Sequence, residues 1–188
     1  MTEGSHMRPV SVRWARIGPR TPSWMTHTPK AGLCLSVFIV ARKGDSILLG
    51  RPKAHDAWPE KGGFPKRHAG EIGKENAWLL PATHLLMEEP PDHAARRIAH
   101  QWAGLKGTPH FVMVQSHVRP QTPGHPGYKR SGRQLRHWDI CFVYEMRTRQ
   151  LPKVKPWWAE MRFLPTPKVR QTKLGRGHRD VLERAGYL

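Results

Sequence analysis

Apolar residues fall in short runs along the chain, and their spacing changes from strand-like to helix-like and back. Residues 32–42 form a β-branched apolar run, and residues 46–50 form a second run after the turn-forming Lys-Gly-Asp sequence. This pair predicts a β-hairpin. Further strands are predicted at residues 78–81, 111–115, 139–147 and 161–164. With the helices described next, this order predicts a mixed α/β or α+β fold.

Two segments carry a helical pattern. Residues 91–103 place Ile98 and Trp102 on one face at helical spacing, and Gly104 directly after them suits a C-terminal cap. A second helix is predicted at residues 181–185, near the end of the chain.

Pro, Gly and charged residues divide the chain into regions. Residues 1–31 lack periodicity and predict a basic extended arm, in which GSHM at residues 4–7 resembles a vector-derived tag. Residues 32–188 predict a single domain with long basic loops at 51–77 and 116–138, followed by a basic C-terminal segment.

The charge balance narrows the choice of partners. Lys and Arg number 32 against 14 Asp and Glu, which gives a formal net charge of +18. A field of this size attracts polyanions, and it exceeds the charge of about 2–8 that surfaces need for solubility. Nucleic acid is the first candidate partner.

A motif-like sequence spans residues 80–105 and reads LPATHLLMEEPPDHAARRIAHQWAGL. It resembles the signature of the Nudix hydrolase superfamily, GX5EX7REUXEEXGU, in which U is a bulky aliphatic residue. Glu89 falls on the first motif glutamate, Arg97 on the motif arginine and Gly104 on the closing glycine. The resemblance covers about residues 32–185. It implies a Nudix-like α/β/α sandwich with a mixed sheet.

The departures from this signature concern its chemistry. Thr83 stands at the first motif glycine, and Ile98, Gln101 and Trp102 stand where the family places glutamates. In the family these glutamates hold divalent metal ions against a diphosphate. Mg²⁺ requires oxygen ligands, and pyrophosphate cleavage uses the metal to neutralise phosphates and activate water. The substitutions therefore favour a protein that is not an enzyme and holds no metal or other cofactor.

We expect a non-catalytic Nudix-like protein that binds RNA as a ribosomal or ribosome-associated component. It is similar in kind to the Nudix-like protein of the mitochondrial large ribosomal subunit, and WLLP at residues 78–81 fits that comparison. Basic side chains would neutralise phosphates, and tryptophans would stack on bases. The candidate RNA-binding residues are Arg119, Lys129, Arg130, Arg133, Arg136, Trp157, Trp158, Lys173, Arg176 and Arg179.

Two alternatives remain open. One is an atypical, active Nudix hydrolase that cleaves nucleoside diphosphate derivatives, with Mg²⁺ held by Glu89 and by acids such as Glu88, Glu71 or Glu75, and with Arg97 in the motif position. The other is a protein-interaction scaffold that uses a Trp-rich surface.

Other sequence features bear on compartment and partners. Cys34 and Cys141 lie in apolar runs and predict buried thiols in a reducing compartment. No apolar run approaches the ~18 residues that a membrane helix needs, so no membrane partner is expected. We expect a cytoplasmic or organellar protein, for example mitochondrial, that is not secreted. Its partners would be RNA and, as further candidates, ribosomal proteins.

Overall fold

A computed structural model describes residues 33–58, 66–86, 88–120 and 136–188. The predicted arm at residues 1–31 lies outside the described residues, as do Lys129, Arg130 and Arg133 of the second basic loop. The strands are β1 (Leu33–Lys43), β2 (Ser46–Pro52), β3 (Ala82–His84), β4 (His110–Pro120), β5 (Arg136–Arg147) and β6 (Trp158–Pro165). The helices are α1 (Lys66–Lys74), α2 (Pro91–Ala103), α3 (Thr166–Gln171) and α4 (His178–Arg184).

The six strands form one mixed sheet. Its strand order is β4-β5-β1-β2-β6, and the short β3 pairs with β1. The central strands β1 and β5 are parallel over ten register pairs, whereas β2, β3, β4 and β6 form antiparallel pairs. The predicted hairpin is confirmed at β1 and β2.

Strict alternation along β1 divides the core between the two faces of the sheet. Val37 and Ile39 pack in one cluster with α1 and α2, whereas Phe38 and Val40 pack in a second cluster with α3 and α4. Because alternate side chains of a strand point to opposite faces, this pattern buries β1 on both sides. Helices therefore cover both faces of the sheet, which confirms the predicted α/β/α arrangement.

Helix α2 has the bounds that the sequence predicts. Pro90 precedes it in an extended conformation, and Gly104 ends it in the left-handed region with φ of 67°. The N–H groups of Gly104 and Leu105 donate to the carbonyls of His100 and Ala99. These bonds satisfy carbonyls that the helix end would otherwise leave unpaired.

The region predicted as a loop at residues 51–77 is partly helical, because α1 lies within it. Ala69 and Ile72 are the buried residues of α1, and this short apolar pair gave little periodic signal. Gly73 passes so close to the carbonyl of Pro52 that a Cβ there would overlap the backbone. The Gly- and Lys-rich sequence of α1 therefore did not indicate that this helix packs closely on β2.

Two further segments differ from the expected pattern. Residues 78–81 carry only isolated bridges, in which Leu79 pairs with Gly50 and Trp78 with Leu174. The long loop predicted at residues 116–138 is shorter, because β4 continues to Pro120 and β5 begins at Arg136.

Cys34 and Cys141 are both buried free thiols, as predicted. Among the described residues, no helix is long and apolar enough to cross a bilayer.

Candidate functional site

The loop before α2 is fastened to the helix by one carboxylate. Glu89 accepts hydrogen bonds from Arg97 Nε at 2.6 Å and from Arg97 Nη2 at 2.7 Å, and a third from the backbone N–H of Leu86 at 3.0 Å. Arg97 Nη2 also donates to the carbonyl of His84 at 3.1 Å. Both carboxylate oxygens of Glu89 are thus engaged in fixing the loop to the helix.

The electrostatics of Glu89 agree with this positioning role. Burial by itself would raise the pKa of Glu89, but the hydrogen bonds from Arg97 and Leu86 outweigh it and hold the pKa below its usual value. The carboxylate therefore stays ionised and bound to its guanidinium partner near neutral pH. Glu89 and Arg97, both candidates for catalysis, therefore form an ion pair with each other.

The helix face where the family places carboxylates is covered by aromatic rings. Ile98 and Trp102 are 0% and 1% exposed. We define the tryptophan cluster as Trp58, Trp102, Trp157 and Trp158. The ring centroids of Trp102 lie 5.2 Å from those of Trp58 and 5.4 Å from those of Trp158. Trp157 adds an edge contact to Trp102 at 6.1 Å.

The rings of the tryptophan cluster are held in place by polar anchors and by one glycine. Trp158 Nε1 donates to the carbonyl of Trp102 at 3.1 Å, and Trp58 Nε1 donates to the carbonyl of Lys53 at 2.8 Å. A Cβ at Gly50 would lie 2.7 Å from the six-membered ring of Trp158. The cluster is therefore closely packed, and it joins the segments around residues 50–58 and 153–158 to α2.

The magnesium that the motif resemblance implies does not fit this face. Ile98 and Trp102 supply no oxygen ligand, and Gln101 is exposed and offers one neutral oxygen. Mg²⁺ requires hard oxygen donors in octahedral array, which a dry aromatic cluster cannot provide. Within the described ranges, no three His, Cys, Asp or Glu side chains are arranged to hold a metal ion.

The remaining candidate carboxylates have different surroundings. Glu88 is exposed and lies at the turn before α2 with φ of 60°. Glu71 is bonded to Arg67 at 3.1 Å on α1, and Glu75 is bonded to Lys173 at 2.8 Å. Glu88 is therefore the candidate acid that lies next to the Glu89 loop with its side chain open to solvent.

The residues chosen for nucleic-acid contact have different surroundings where the structure describes them. Trp158 is 2% exposed and lies inside the tryptophan cluster, so its ring is not available for base stacking. Trp157 is half-buried against Trp102. Arg119 and Arg136 lie on neighbouring strands, β4 and β5, where each is paired within the sheet.

The C-terminal candidates have mainly structural contacts. Arg179 donates to the carbonyls of Arg170 and Thr172, at 3.1 and 2.8 Å, and thus fastens α4 to α3. Lys173 pairs with Glu75, and Arg176 is exposed in a left-handed conformation with φ of 53°. The number of charged residues in a sequence does not show which basic side chains make structural contacts and which are available to bind a ligand.

Comparison with solved structures identifies the architecture. The Nudix domain of Shewanella oneidensis NrtR, solved with ADP-ribose, matches 86% of this chain and 93% of its own length with a TM-score of 0.56 at 15% identity. The Methanosarcina mazei Go1 MutT protein matches 85% of this chain and 94% of its own, with a TM-score of 0.54 at 14% identity. This is a Nudix hydrolase fold.

A third structure agrees with this assignment. The MutT Nudix hydrolase from Burkholderia pseudomallei has a TM-score of 0.52 at 16% identity and covers 80% of this chain and 96% of its own. No family model and no curated protein matches the sequence. The likeness to Nudix proteins therefore lies in the course of the backbone.

The expectation of a non-catalytic RNA-binding, ribosomal protein is wrong, because the similar solved structures include a MutT protein, a MutT Nudix hydrolase and an ADP-ribose pyrophosphatase. The expectation rested on charge and tryptophan content. A positive field attracts any phosphate-bearing ligand and does not single out RNA. Trp58, Trp102 and Trp158 are each no more than 2% exposed, so they fill the core rather than a binding surface.

Proposed function

We propose that this chain is an atypical Nudix hydrolase that acts on nucleoside diphosphate derivatives, with ADP-ribose as the first compound to test. The observation that carries the proposal is the Nudix fold itself, which extends over 86% of the chain in the comparison with a domain solved with ADP-ribose. The net charge of +18 supports an anionic, phosphate-bearing substrate.

The loop–helix unit supports the same reading. Glu89 and Arg97 keep the loop in a fixed position on α2 through two hydrogen bonds of 2.6 and 2.7 Å. Residues 84–86, 88 and 89 are thereby placed against the helix that carries the motif in the family. Both carboxylate oxygens of Glu89 are occupied by these hydrogen bonds, so Glu89 is not the group that we propose for proton transfer.

Glu88 is the carboxylate that we assign to catalysis. It lies exposed beside the fixed loop, where it would accept a proton from the water that attacks a phosphorus atom of the diphosphate. The new P–O bond forms as the bond to the leaving phosphate oxygen breaks. Because α2 of this chain does not supply metal ligands, no step is assigned to a metal held by that helix.

The proposal is tested by hydrolysis of ADP-ribose and a set of nucleoside triphosphates by the purified full chain, with Mg²⁺, Mn²⁺ or a chelator. Product nucleotides are separated by chromatography. We expect turnover by the unmodified protein and a loss of at least about 100-fold in Glu88→Gln, the lower range for removal of a general base. Glu183→Gln, an exposed change on α4, is the matched control and keeps full turnover.

Two results would contradict this assignment. Absence of cleavage of every compound under all three conditions would remove the hydrolase proposal, and calorimetry with ADP-ribose would then show whether ligand binding alone remains. Equal turnover in Glu88→Gln and the unmodified protein would remove Glu88 as the base.

A further inference from the structure

A basic cavity opens on the sheet face opposite α2. Its volume is about 400 Å³, and it is lined by Arg42, Gly44, Arg147, Thr148 and Arg149. These residues come from the end of β1, the turn after it, the end of β5 and the two positions that follow β5. Arg42 follows Phe38 and Val40 in the alternation of β1, which places it on the face covered by α4.

Two arginines of this cavity, Arg42 and Arg147, contact Glu145. Arg147 Nε donates to one oxygen of Glu145 at 2.8 Å, and Arg42 Nη1 lies 3.6 Å from the other. The hydroxyl of Tyr187 donates to that second oxygen at 2.9 Å, and the guanidinium of Arg42 lies 5.7 Å from the centre of the Tyr187 ring. Two cations are thus oriented by one carboxylate and one aromatic ring.

The pKa shifts of Glu145 and Tyr187 keep Glu145 ionised and Tyr187 protonated near neutral pH. Burial alone would raise the pKa of Glu145, but hydrogen bonds from Arg147 and Tyr187 and the nearby guanidinium charges outweigh it, so the pKa is lowered. Burial and the bond to Glu145 in turn raise the pKa of Tyr187. Both groups keep their charge state at neutral pH.

Positive charge remains in excess after these pairs are formed. Three arginines line the cavity, and two of them contact the half-buried carboxylate of Glu145; the second acid near Arg42 is Asp45, at 3.8 Å on the exposed turn. Arg149 is exposed and has no ion pair with any residue of the described ranges. Nε of Arg42 is buried and likewise has no hydrogen-bond partner in the described part of the chain.

We propose that this cavity binds a phosphate-bearing small molecule at a site separate from α2. Guanidinium groups match the geometry of phosphate oxygens because their N–H donors form a planar fork. The hydroxyl of Thr148 and the free nitrogens of Arg147 and Arg149 add donors at the cavity mouth. A volume of about 400 Å³ lies in the range of small-molecule sites, about 300–1,000 Å³, and exceeds what a bare anion needs.

This inference does not rest on the proposed hydrolase activity. The sheet separates the cavity from α2 and the tryptophan cluster, since Arg42 and Arg147 continue the alternation of Val40 and Val143, which pack in the core cluster on the opposite face. A ligand bound at this cavity would therefore leave the Glu89 loop free. Either proposal can fail without the other.

The experiment is calorimetric titration of the full chain with inorganic phosphate, pyrophosphate, AMP and ADP at fixed ionic strength. The variant is Arg147→Gln/Arg149→Gln. We expect at least about tenfold weaker binding in this variant, since two charge-assisted hydrogen bonds are lost. The matched control is Arg67→Gln/Arg170→Gln, which removes the same charge from exposed positions on α1 and α3 and keeps the affinity within about twofold.

Chemical-shift changes locate the ligand. We expect them at the backbone amides of Gly44 and Thr148 and not at those of residues 84–97. Tighter binding of AMP and ADP than of inorganic phosphate would identify a nucleotide as the source of the phosphate group, and equal binding would identify the phosphate itself. An equal loss in both double variants, or no saturable binding of any of the four compounds, would overturn the proposal.

Discussion

Position 98 decides what α2 can do chemically. Ile98 is 0% exposed and lies in the same core cluster as the tryptophan cluster, whereas Gln101 on the same helix is exposed. A carboxylate introduced at position 98 would be buried in an aromatic environment without a cation to pair with it. Burial of an unpaired charge is among the most costly changes a protein core can suffer.

We therefore expect a large loss of stability from one and almost no change from the other of two substitutions that restore glutamates of the family motif. Ile98→Glu should lower the free energy of unfolding by about 4 kcal/mol or more. Gln101→Glu should change it by no more than about 0.5 kcal/mol, because its side chain reaches water. Urea denaturation measures both. Rescue of Ile98→Glu by added Mg²⁺ would show, against our interpretation, that a metal can enter this face.

The Glu89–Arg97 pair predicts a pH-dependent contribution to stability. Because the folded-state pKa of Glu89 is lowered, the contribution is fully present above the unfolded value of 4.5 and is lost as the pH falls through the folded value. Glu89→Gln should cost about 1.5–3 kcal/mol at pH 7, the range for hydrogen bonds to charged groups, because it leaves Arg97 without its carboxylate.

The measurement is the difference in unfolding free energy between Glu89→Gln and the unmodified chain. We expect this difference to shrink as the pH is lowered below 4.5. Glu183→Gln, which removes an exposed carboxylate, should show a small difference at every pH. A constant gap for Glu89→Gln from pH 7 down to acid unfolding would contradict the role assigned to this ion pair.

At the scale of elements, the end of α2 depends on a single left-handed residue. Gly104 has φ of 67°, and a Cβ there would lie 2.8 Å from the Cβ of Lys153. Gly104→Ala should cost about 1–2 kcal/mol in unfolding free energy, mainly because the left-handed region is unfavourable for alanine. Gly104→Asn should cost less, since asparagine adopts this conformation more readily.

Thermal denaturation of the two Gly104 variants checks this order. Equal losses would mean that contact with Lys153, rather than backbone conformation, dominates the cost. That result would move the explanation from the cap of α2 to its packing against residues 151–155.

The elements with strong periodicity were predictable from the sequence. Helix α2 was predicted with its observed bounds, and the β1–β2 hairpin was predicted from its turn and its apolar runs. Helix α1 was missed, because Ala69 and Ile72 alone carry its buried face. Helix α3 was missed because it spans six residues, with one buried side chain, Val169.

The candidate site was predictable in part. The register of residues 80–105 singled out Glu89 and Arg97 as motif positions, but it did not predict the ion pair that joins them at 2.6 Å. The tryptophan cluster was not predictable, because it brings Trp58 and Trp158 together from segments a hundred residues apart. Spacing along the chain carries no information on such a contact.

At the scale of the whole molecule, the net charge of +18 opposes compaction. Raising NaCl from about 0.01 M to about 0.15 M shortens the screening length from about 30 to about 8 Å. We expect Tm to rise by about 2–4 °C, which corresponds to about 1 kcal/mol for a chain of this size. Scanning calorimetry over this range measures the effect.

A variant with fewer positive charges provides the control. Arg67→Glu/Arg170→Glu lowers the net charge by four at exposed positions of α1 and α3, so its Tm should rise less over the same salt range. A Tm that falls with salt in the unmodified chain would show that favourable ion pairs outweigh the overall repulsion.

The parallel pairing of β1 with β5 has a consequence for synthesis on the ribosome. Ser36 and Asp139 are joined by a hydrogen bond across 103 positions of sequence, so β1 emerges long before its main neighbour exists. Until β5 is made, one edge of β1 is unpaired, and the face that carries Phe38 and Val40 lacks α3 and α4, which follow β5 in the sequence. Pairing over such distances slows folding and prolongs exposure of strand edges. Nascent chains that end before residue 136 should therefore be the form of this protein that most needs a chaperone.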